Sequence, residues 1–144
     1  MLIHQILKNK TLAGVATVKP GSKVSDAANL LSEKKIGAVI VSEDGVRPLG
    51  ILSERDIVSA LGKVGASCLD QSVDDLMTSK LVTCVPGDRA IQVLHTMTDG
   101  RFRHMPVMDG DEMIGLVSIG DVVKARLDEL SQQADALKNM IMGY

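Results

Sequence analysis

The segment GILSERDIV at residues 50–58 decides the fold, because it returns as GLVSIGDVV at residues 115–123. In both copies Gly and two apolar residues precede Ser, and Asp follows three positions after Ser. Each copy also follows an apolar run and a turn signal, Asp44-Gly45 in the first case and Asp109-Gly110 in the second. A motif that recurs in the same surroundings predicts an internal repeat.

The repeat extends upstream of this motif. Lys19-Pro20-Gly21 corresponds to Val85-Pro86-Gly87, and apolar residues at helical spacing follow in both places, over residues 24–34 and 90–100. Each repeat therefore predicts the order strand, helix, strand, hairpin turn, strand, helix. Since a unit of about sixty residues buries little surface alone, we expect two units packed sheet to sheet around one core. The predicted fold class is α+β.

Composition excludes several classes of protein. Of the 144 residues 45% are hydrophobic, yet the chain contains one Phe, one Tyr and no Trp. Modules that stack bases on aromatic side chains are therefore disfavoured, and a formal net charge of −2 gives no reason to expect a nucleic-acid partner. No apolar run approaches the roughly 18 residues of a membrane span, so we expect no membrane partner.

The amino-terminal residues and the cysteines favour a cytoplasmic protein. Residues 1–10 fit a short helix rather than a signal peptide, because they lack a long hydrophobic region and a small-residue cleavage site. Cys68 and Cys84 have neither a second pair nor a nearby His, so their spacing is not that of a zinc site. We expect reduced thiols and no bound metal.

The carboxyl-terminal segment has no counterpart in the first repeat. It predicts a helix from about residue 121 to residue 142 with one apolar stripe. The stripe consists of Leu127, Leu130, Ala134, Leu137 and Ile141. Such a stripe either folds back onto the body or packs against a second copy of the chain, and we favour the second copy.

The repeated Ser-x-x-Asp admits two interpretations. Ser53 with Asp56, and Ser118 with Asp121, have the spacing of a helix capping box, which explains both pairs without any ligand. Alternatively, free amides and a hydroxyl at a strand-to-helix junction suit a phosphate, and each Asp suits the hydroxyls of a ribose. The Gly that opens each copy has no Cβ and would let another group approach the backbone closely.

Taken together, these motifs resemble a tandem pair of CBS domains, the modules named after cystathionine β-synthase. The resemblance rests on the element order, the two Gly-to-Asp motifs, the segment 103–107, and a P-G-x-x-x-x-x-A string in which Val93 replaces the last Ala in the second copy. It implies two βαββα repeats at residues 11–66 and 73–128, related by a pseudo-twofold axis. Residues 1–10 and 129–144 are then helical extensions.

The resemblance also implies a function. Members of this family bind adenosine compounds (AMP, ADP, ATP, NAD(H) or S-adenosylmethionine) in two clefts, and two modules commonly form a disc-shaped homodimer. We therefore expect a regulatory nucleotide sensor that signals through an unidentified effector protein. The alternative is a structural dimerisation module without a ligand. An enzyme is disfavoured, because no nucleophile elbow, Walker loop or metal-binding spacing is present.

Carried over residue by residue, the resemblance places the ribose hydroxyls on the two Asp side chains and the ribose or phosphate on the two Ser side chains. Thr17 and Thr83 would line the adenine and ribose edge, and the backbones of 37–38 and 104–105 would address the base. The implied ligand-binding residues are Thr17, Gly37, Ala38, Ser53, Arg55, Asp56, Thr83, Arg103, His104, Met105, Pro106, Ser118 and Asp121.

The two repeats differ in charge, and this difference predicts which phosphates they accept. Arg103 and His104 stand where the first repeat has Gly37 and Ala38, so the resemblance makes this pair a phosphate clamp. Pairing of Arg103 with a surface carboxylate is the alternative. In the first repeat Glu54 lies beside Arg55, which disfavours a highly charged tail there and favours AMP or NAD(H) over ATP.

Overall fold

A computed structural model describes residues 1–9 and 15–143 and shows a mixed α+β chain with two small sheets. Its helices and strands are α1 Ile3–Asn9, β1 Thr17–Val18, α2 Val24–Lys34, β2 Ala38–Val41, β3 Gly50–Ser53, α3 Glu54–Val64, a 3-10 helix Gly65–Asp70, α4 Val73–Leu76, α5 Ala90–Gly100, β4 His104–Asp109, β5 Glu112–Ser118 and α6 Ile119–Ile141. The predicted boundary between residues 10 and 11, and Tyr144, lie outside the described residues. No described helix is both long and apolar enough to cross a membrane.

The first sheet has the order β1-β2-β3. Strands β1 and β2 run parallel, with Thr17 opposite Ile40, and β2 and β3 run antiparallel, with Ala38 opposite Ser53. All four residues of β2 are buried, as is typical of a central strand. Thr78 exchanges two backbone hydrogen bonds with Ile51 at 2.9 and 3.0 Å, which extends the far side of this sheet.

The second sheet repeats this plan in reduced form. Strands β4 and β5 are paired, and Cys84 forms a parallel bridge to Val107 on β4. Cys84 and Val107 each lie 66 residues after their equivalents in the first sheet, Val18 and Val41. The alignment of the two repeats from the sequence therefore holds at the level of strand register.

Helices α2 and α5 are formed by the two segments in which the sequence shows helical spacing. Both end in a residue with left-handed backbone, Lys35 at φ 52° and Arg101 at φ 57°. Glycine is the usual residue at this position, because it has no Cβ to clash. Here a cation occupies it in both repeats, where it also faces the negative end of the helix dipole.

The chain forms two compact units, and these do not coincide with the two sequence repeats. The first, which we call the α5–α6 unit, contains α1, α5 and α6. It also contains residues 104–107 of β4 and residues 116–118 of β5. The other, the α2–α3 unit, contains β1 to α4 and residues 108–115. Within this second unit Met113 donates a backbone hydrogen bond of 2.8 Å to Val46.

Helix α1 is part of the core of the α5–α6 unit. Ile3 and Ile6 are buried among residues of α5, α6 and β4, and Leu7 packs against this cluster. The backbone amide of Ile3 donates to Asp88 at 2.9 Å, and the amide of Ala90, the first residue of α5, donates to Met1 at 2.9 Å. These bonds attach the segment before the first repeat to the start of the helix of the second.

Helix α4 makes the same contacts in the α2–α3 unit. Val73 is fully buried, and Leu76 and Met77 pack against the same cluster. The amide of Val73 donates to Ser22 at 2.8 Å, and the amide of Val24, the first residue of α2, donates to Gln71 at 2.9 Å. The core of the second repeat is therefore completed by α1, which precedes the first repeat, and the core of the first repeat is completed by α4, which starts the second.

This exchange predicts that α1 contributes to stability as a core helix does. Ile3→Ala should lower the free energy of unfolding by about 2–5 kcal/mol, because the cavity adds to the lost burial. Lys8→Ala, at an exposed position of the same helix, should change it by less than about 0.5 kcal/mol. Urea unfolding followed by circular dichroism measures both variants. An Ile3→Ala variant as stable as Lys8→Ala would contradict the assignment of α1 to the core.

Candidate functional site

The first repeated motif forms the junction between β3 and α3. Ser53 ends the strand and caps the helix, since its Oγ accepts from the amide of Asp56 at 3.2 Å. In return, Oδ2 of Asp56 accepts from the amide of Ser53 at 2.9 Å and from its hydroxyl at 3.0 Å. The capping box that the spacing predicts is complete, and its energetic value is typically about 1 kcal/mol.

The second motif builds the same junction between β5 and α6. Ser118 Oγ accepts from the amide of Asp121 at 3.2 Å, and Asp121 Oδ2 accepts from the amide of Ser118 at 2.9 Å. Both copies of the motif therefore fulfil a structural role that needs no ligand.

A third capping box lies outside the repeated motif. Ser72 caps α4, with its Oγ accepting from Asp74 at 3.3 Å and its amide donating to Asp75 Oδ2 at 3.2 Å. Ser-x-x-Asp in this chain is thus a general way of starting a helix. What distinguishes the two repeated copies is the strand before them and the neighbours that this strand brings.

At each junction the residue just before the neighbouring strand, β2 or β4, accepts a further hydrogen bond that the sequence did not predict. The amide of Glu54, the first residue of α3, donates to the carbonyl of Gly37 at 2.9 Å. At the equivalent place the amide of Ile119 donates to the carbonyl of Arg103 at 2.8 Å. The only sequence signal for these bonds is that both pairs occupy equivalent positions in the two repeats.

These bonds correct the expectation of several free amides at each helix start. In the first turn of α3 the amides of Glu54 and Asp56 are both engaged within the protein. Among the described residues, only the amide of Arg55 in that turn has no recorded acceptor, and Gly120 is its equivalent in α6. A phosphate would meet one amide at each junction rather than a row of them.

The Asp56 carboxylate keeps capacity for a ligand after capping. A carboxylate offers about four lone-pair sites on two oxygens. Both capping bonds go to Oδ2 of Asp56, and no described residue donates a recorded hydrogen bond to Oδ1. Capping and ligand binding can therefore coexist in one side chain, and the two interpretations of the motif do not exclude each other.

In the α2–α3 unit the structure brings four of the proposed site residues together. Ala38 lies opposite Ser53 in the β2–β3 register, Gly37 precedes it, and Asp56 follows one turn into α3. Thr17 lies on β1, the strand beyond β2, and is half-buried. The side chain of Arg55 is exposed at the start of α3.

In the α5–α6 unit the equivalent residues surround Ser118 and Asp121. Arg103 is exposed, His104 is half-buried at the start of β4, and Met105 and Pro106 are buried. Pro106 accepts a hydrogen bond of 3.0 Å from Cys84, which places the exposed Thr83 next to this strand. Among the described residues Arg103 forms no salt bridge.

The close approach at Gly50 comes from the protein itself. A Cβ at this position would collide with the side chain of Met77 and lie 3.1 Å from the carbonyl oxygen of Thr78. The residues that exclude a side chain here follow α4, at the start of the second repeat. Gly50 is therefore explained by packing inside the α2–α3 unit, and the sequence pattern alone did not indicate these neighbours.

The cysteines do not contribute a reactive or metal-binding group. Both are buried free thiols, and burial raises the pKa of Cys84 to about 12, with a smaller contribution from the charge of Asp88. A thiol with so high a pKa has little thiolate at neutral pH. In residues 1–9 and 15–143 no group of three or more metal-ligating side chains is present.

The comparisons with known proteins agree with this architecture. The model of the CBS domain family matches residues 11–63 and 73–128, so the chain belongs to the CBS domain family and carries two CBS domains in tandem. A solved CBS-domain-containing protein from Agrobacterium tumefaciens is 42% identical, with a TM-score of 0.83, and the match covers 88% of this chain and 99% of that one.

Further relatives match most of this chain. The mitochondrial CBS domain-containing protein CBSX3 of Arabidopsis thaliana is 36% identical over 83% of this chain. The chain spans only 60% of that protein, and 39% and 26% of two other curated relatives. The structure of CBSX2, solved in complex with AMP, is 26% identical with a TM-score of 0.72, and the match covers 88% of this chain and 96% of that one.

The packing at Gly50 predicts a rescue experiment. Gly50→Ala should destabilise the protein by about 1–3 kcal/mol, because the added methyl group overpacks the contact with Met77. Combining it with Met77→Ala should restore part of this loss, so that the two effects are not additive. Denaturant unfolding of the two single variants and the double variant gives the coupling energy. Strict additivity would show that Met77 is not the neighbour that excludes a side chain.

Proposed function

We propose that this chain is a regulatory module that binds an adenosine nucleotide, with AMP as the first candidate, and passes its binding state to a partner protein. The observation that carries this proposal is the duplicated strand-to-helix junction. In each copy the Asp of a helix capping box lies beside the start of a neighbouring strand, β2 or β4. The AMP complex of the related CBSX2 protein supports the choice of ligand.

The chemistry of each junction suits a nucleoside monophosphate. Oδ1 of Asp56 can accept from a ribose hydroxyl while Oδ2 holds the cap, as acidic residues do in dinucleotide-binding folds. The one amide of the first turn that no described residue engages suits a single phosphate group better than a triphosphate. ADP, ATP, NAD(H) and S-adenosylmethionine remain the other ligands to compare.

The two junctions should differ in their preference for phosphate. Arg103 presents an exposed guanidinium next to the second junction that pairs with no carboxylate in the described part of the chain, and this group can contact two phosphate oxygens at once. At the first junction the exposed Arg55 follows Glu54, whose carboxylate repels a highly charged tail. We therefore propose that the second junction is the stronger phosphate site.

Adenine would be held without aromatic stacking. The chain has a single Phe, and Phe102 packs against the core of the α5–α6 unit. At the first junction the proposed wall is Ala38 of β2 with its backbone, and at the second junction it is Met105 and Pro106 of β4. Thr17 and Thr83 belong to the same proposal as residues at the edge of the base and ribose.

Asn substitutions separate ligand binding from capping. Asp56→Asn keeps an oxygen that can accept from Ser53, but it loses the charge and one of the two acceptors. AMP at a hundred times its dissociation constant should stabilise the natural protein by about 2.7 kcal/mol. This stabilisation should fall sharply in Asp56→Asn and Asp121→Asn, as measured by thermal unfolding with and without AMP.

Asp75→Ala is the matched control, because Asp75 closes the third capping box outside the repeated motif. It should lower stability by about 1 kcal/mol and leave the AMP response intact. The proposal fails if none of the five adenosine compounds raises the melting temperature at millimolar concentration. If the Asn variants respond normally, the motifs are caps only and the ligand binds elsewhere. A protein that responds to none of the compounds favours the alternative of a ligand-independent dimerisation module.

We further propose that the module acts as a homodimer, with α3 at the interface. Three aliphatic residues at helical spacing are exposed along this helix, and they are Val58, Leu61 and Val64. Val58 is 65% exposed and Val64 is 58% exposed. Exposure of three aliphatic residues on one face of a helix is unusual. A twofold dimer would bury this face against its own copy.

Polar substitution of this face should therefore dissociate the dimer. Val58→Glu combined with Leu61→Gln should shift the sedimentation equilibrium of the protein from dimer to monomer at micromolar concentration. Leu49→Glu, at another exposed aliphatic position of the α2–α3 unit, should leave the dimer unchanged. A dimer that survives the double substitution would remove α3 from the interface.

A further inference from the structure

Helix α6 continues far beyond the core that it helps to build. It spans Ile119–Ile141, and its buried residues are Val122 and Ala125, both in its first two turns. Residues 131–143 are all exposed. With a rise of 1.5 Å per residue, the helix extends about 20 Å past Arg126.

An exposed apolar stripe runs along this helix. It consists of Val123, Leu127, Leu130, Ala134, Leu137 and Ile141, and we call it the α6 stripe. Leu127 is 61% exposed, Leu137 is 57% exposed and Ile141 is 77% exposed. The steps of three and four residues are those of a coiled-coil seam, in which a second helix covers such residues.

The edges of the stripe carry positive charge. The positions that flank it are Lys124, Ser131 and Lys138 on one side and Arg126, Gln133 and Met140 on the other. None of these six residues is acidic. The acidic residues of the helix lie further round, and Glu129 is engaged by the Met1 ammonium group at 2.7 Å and by Arg126 at 4.0 Å.

A second copy of the chain is a poor electrostatic match for the α6 stripe. In an antiparallel pair, Lys124 would lie opposite Lys138 of the other copy, and like charges at such positions repel. In a parallel pair, Lys138 would face Gln133 and Arg126 would face Ser131, without any attractive pair. A helix with acidic edges would instead form opposite-charge contacts along the seam.

We propose that the α6 stripe binds an amphipathic helix of a partner protein, with aliphatic residues on the seam and Glu or Asp along both edges. This proposal deepens the proposed function, since it rests on signalling through a partner and names the chemistry of that partner. Binding of this helix can be measured without nucleotide, so its failure and the failure of the AMP response are separate results.

The test uses the full chain and two synthetic peptides of about three heptads with Leu at the seam positions. One peptide carries Glu at every edge position and the other carries Lys. In fluorescence anisotropy the Glu peptide should bind at least about tenfold more tightly than the Lys peptide. Lys124→Glu combined with Lys138→Glu should reverse this preference, and Asp135→Lys, away from the edges, should preserve it.

Leu130→Gln combined with Leu137→Gln should abolish binding of the Glu peptide, while circular dichroism confirms that the protein remains folded. Equal affinity for the two peptides, or no binding of either, would overturn the proposal. If the same double variant converts a dimer to a monomer in sedimentation, the stripe belongs to a second copy. If it abolishes binding to phosphatidylserine vesicles that the natural protein shows, the stripe belongs to a lipid surface.

Discussion

The structure depends on an exchange of short segments between the two repeats. A sheet of two or three short strands with two helices leaves one side of its core uncovered. In the α5–α6 unit α1 covers it with Ile3 and Ile6, and in the α2–α3 unit α4 covers it with Val73. Because α1 precedes the first repeat and α4 starts the second, neither repeat has a complete core within its own sequence.

The candidate site is built on hydrogen bonds that the fold needs in any case. At each junction the Ser-Asp box starts a helix, and the first helical amide donates to the carbonyl of Gly37 or Arg103, the residue just before β2 or β4. These bonds orient the Asp carboxylate and leave one amide of the turn available. A ligand site of this kind is rigid before the ligand arrives, which lowers the entropic cost of binding.

The two halves of the molecule have diverged around this common frame. The first junction is flanked by small residues, whereas the second has Arg103 and His104, and only the second is followed by a helix of 23 residues. The two repeats therefore differ in charge and in the length of the helix after the junction, whereas the hydrogen bonds at the two junctions are equivalent. This difference places the exposed Arg103 beside one candidate site and gives the same half of the chain the only long exposed helix face among the described residues.

The sequence by itself determined the repeat, the two eleven-residue helices α2 and α5, the capping boxes and the family, because these depend on local spacing and on residue type. It could not determine which segment covers which core, since the apolar residues of α1 and α4 fit either repeat equally well. It also did not show that Gly50 is required by Met77, or that two amides of each helix start are already bound. Those features arise only when residues distant in the chain meet, and so the tertiary structure decided them.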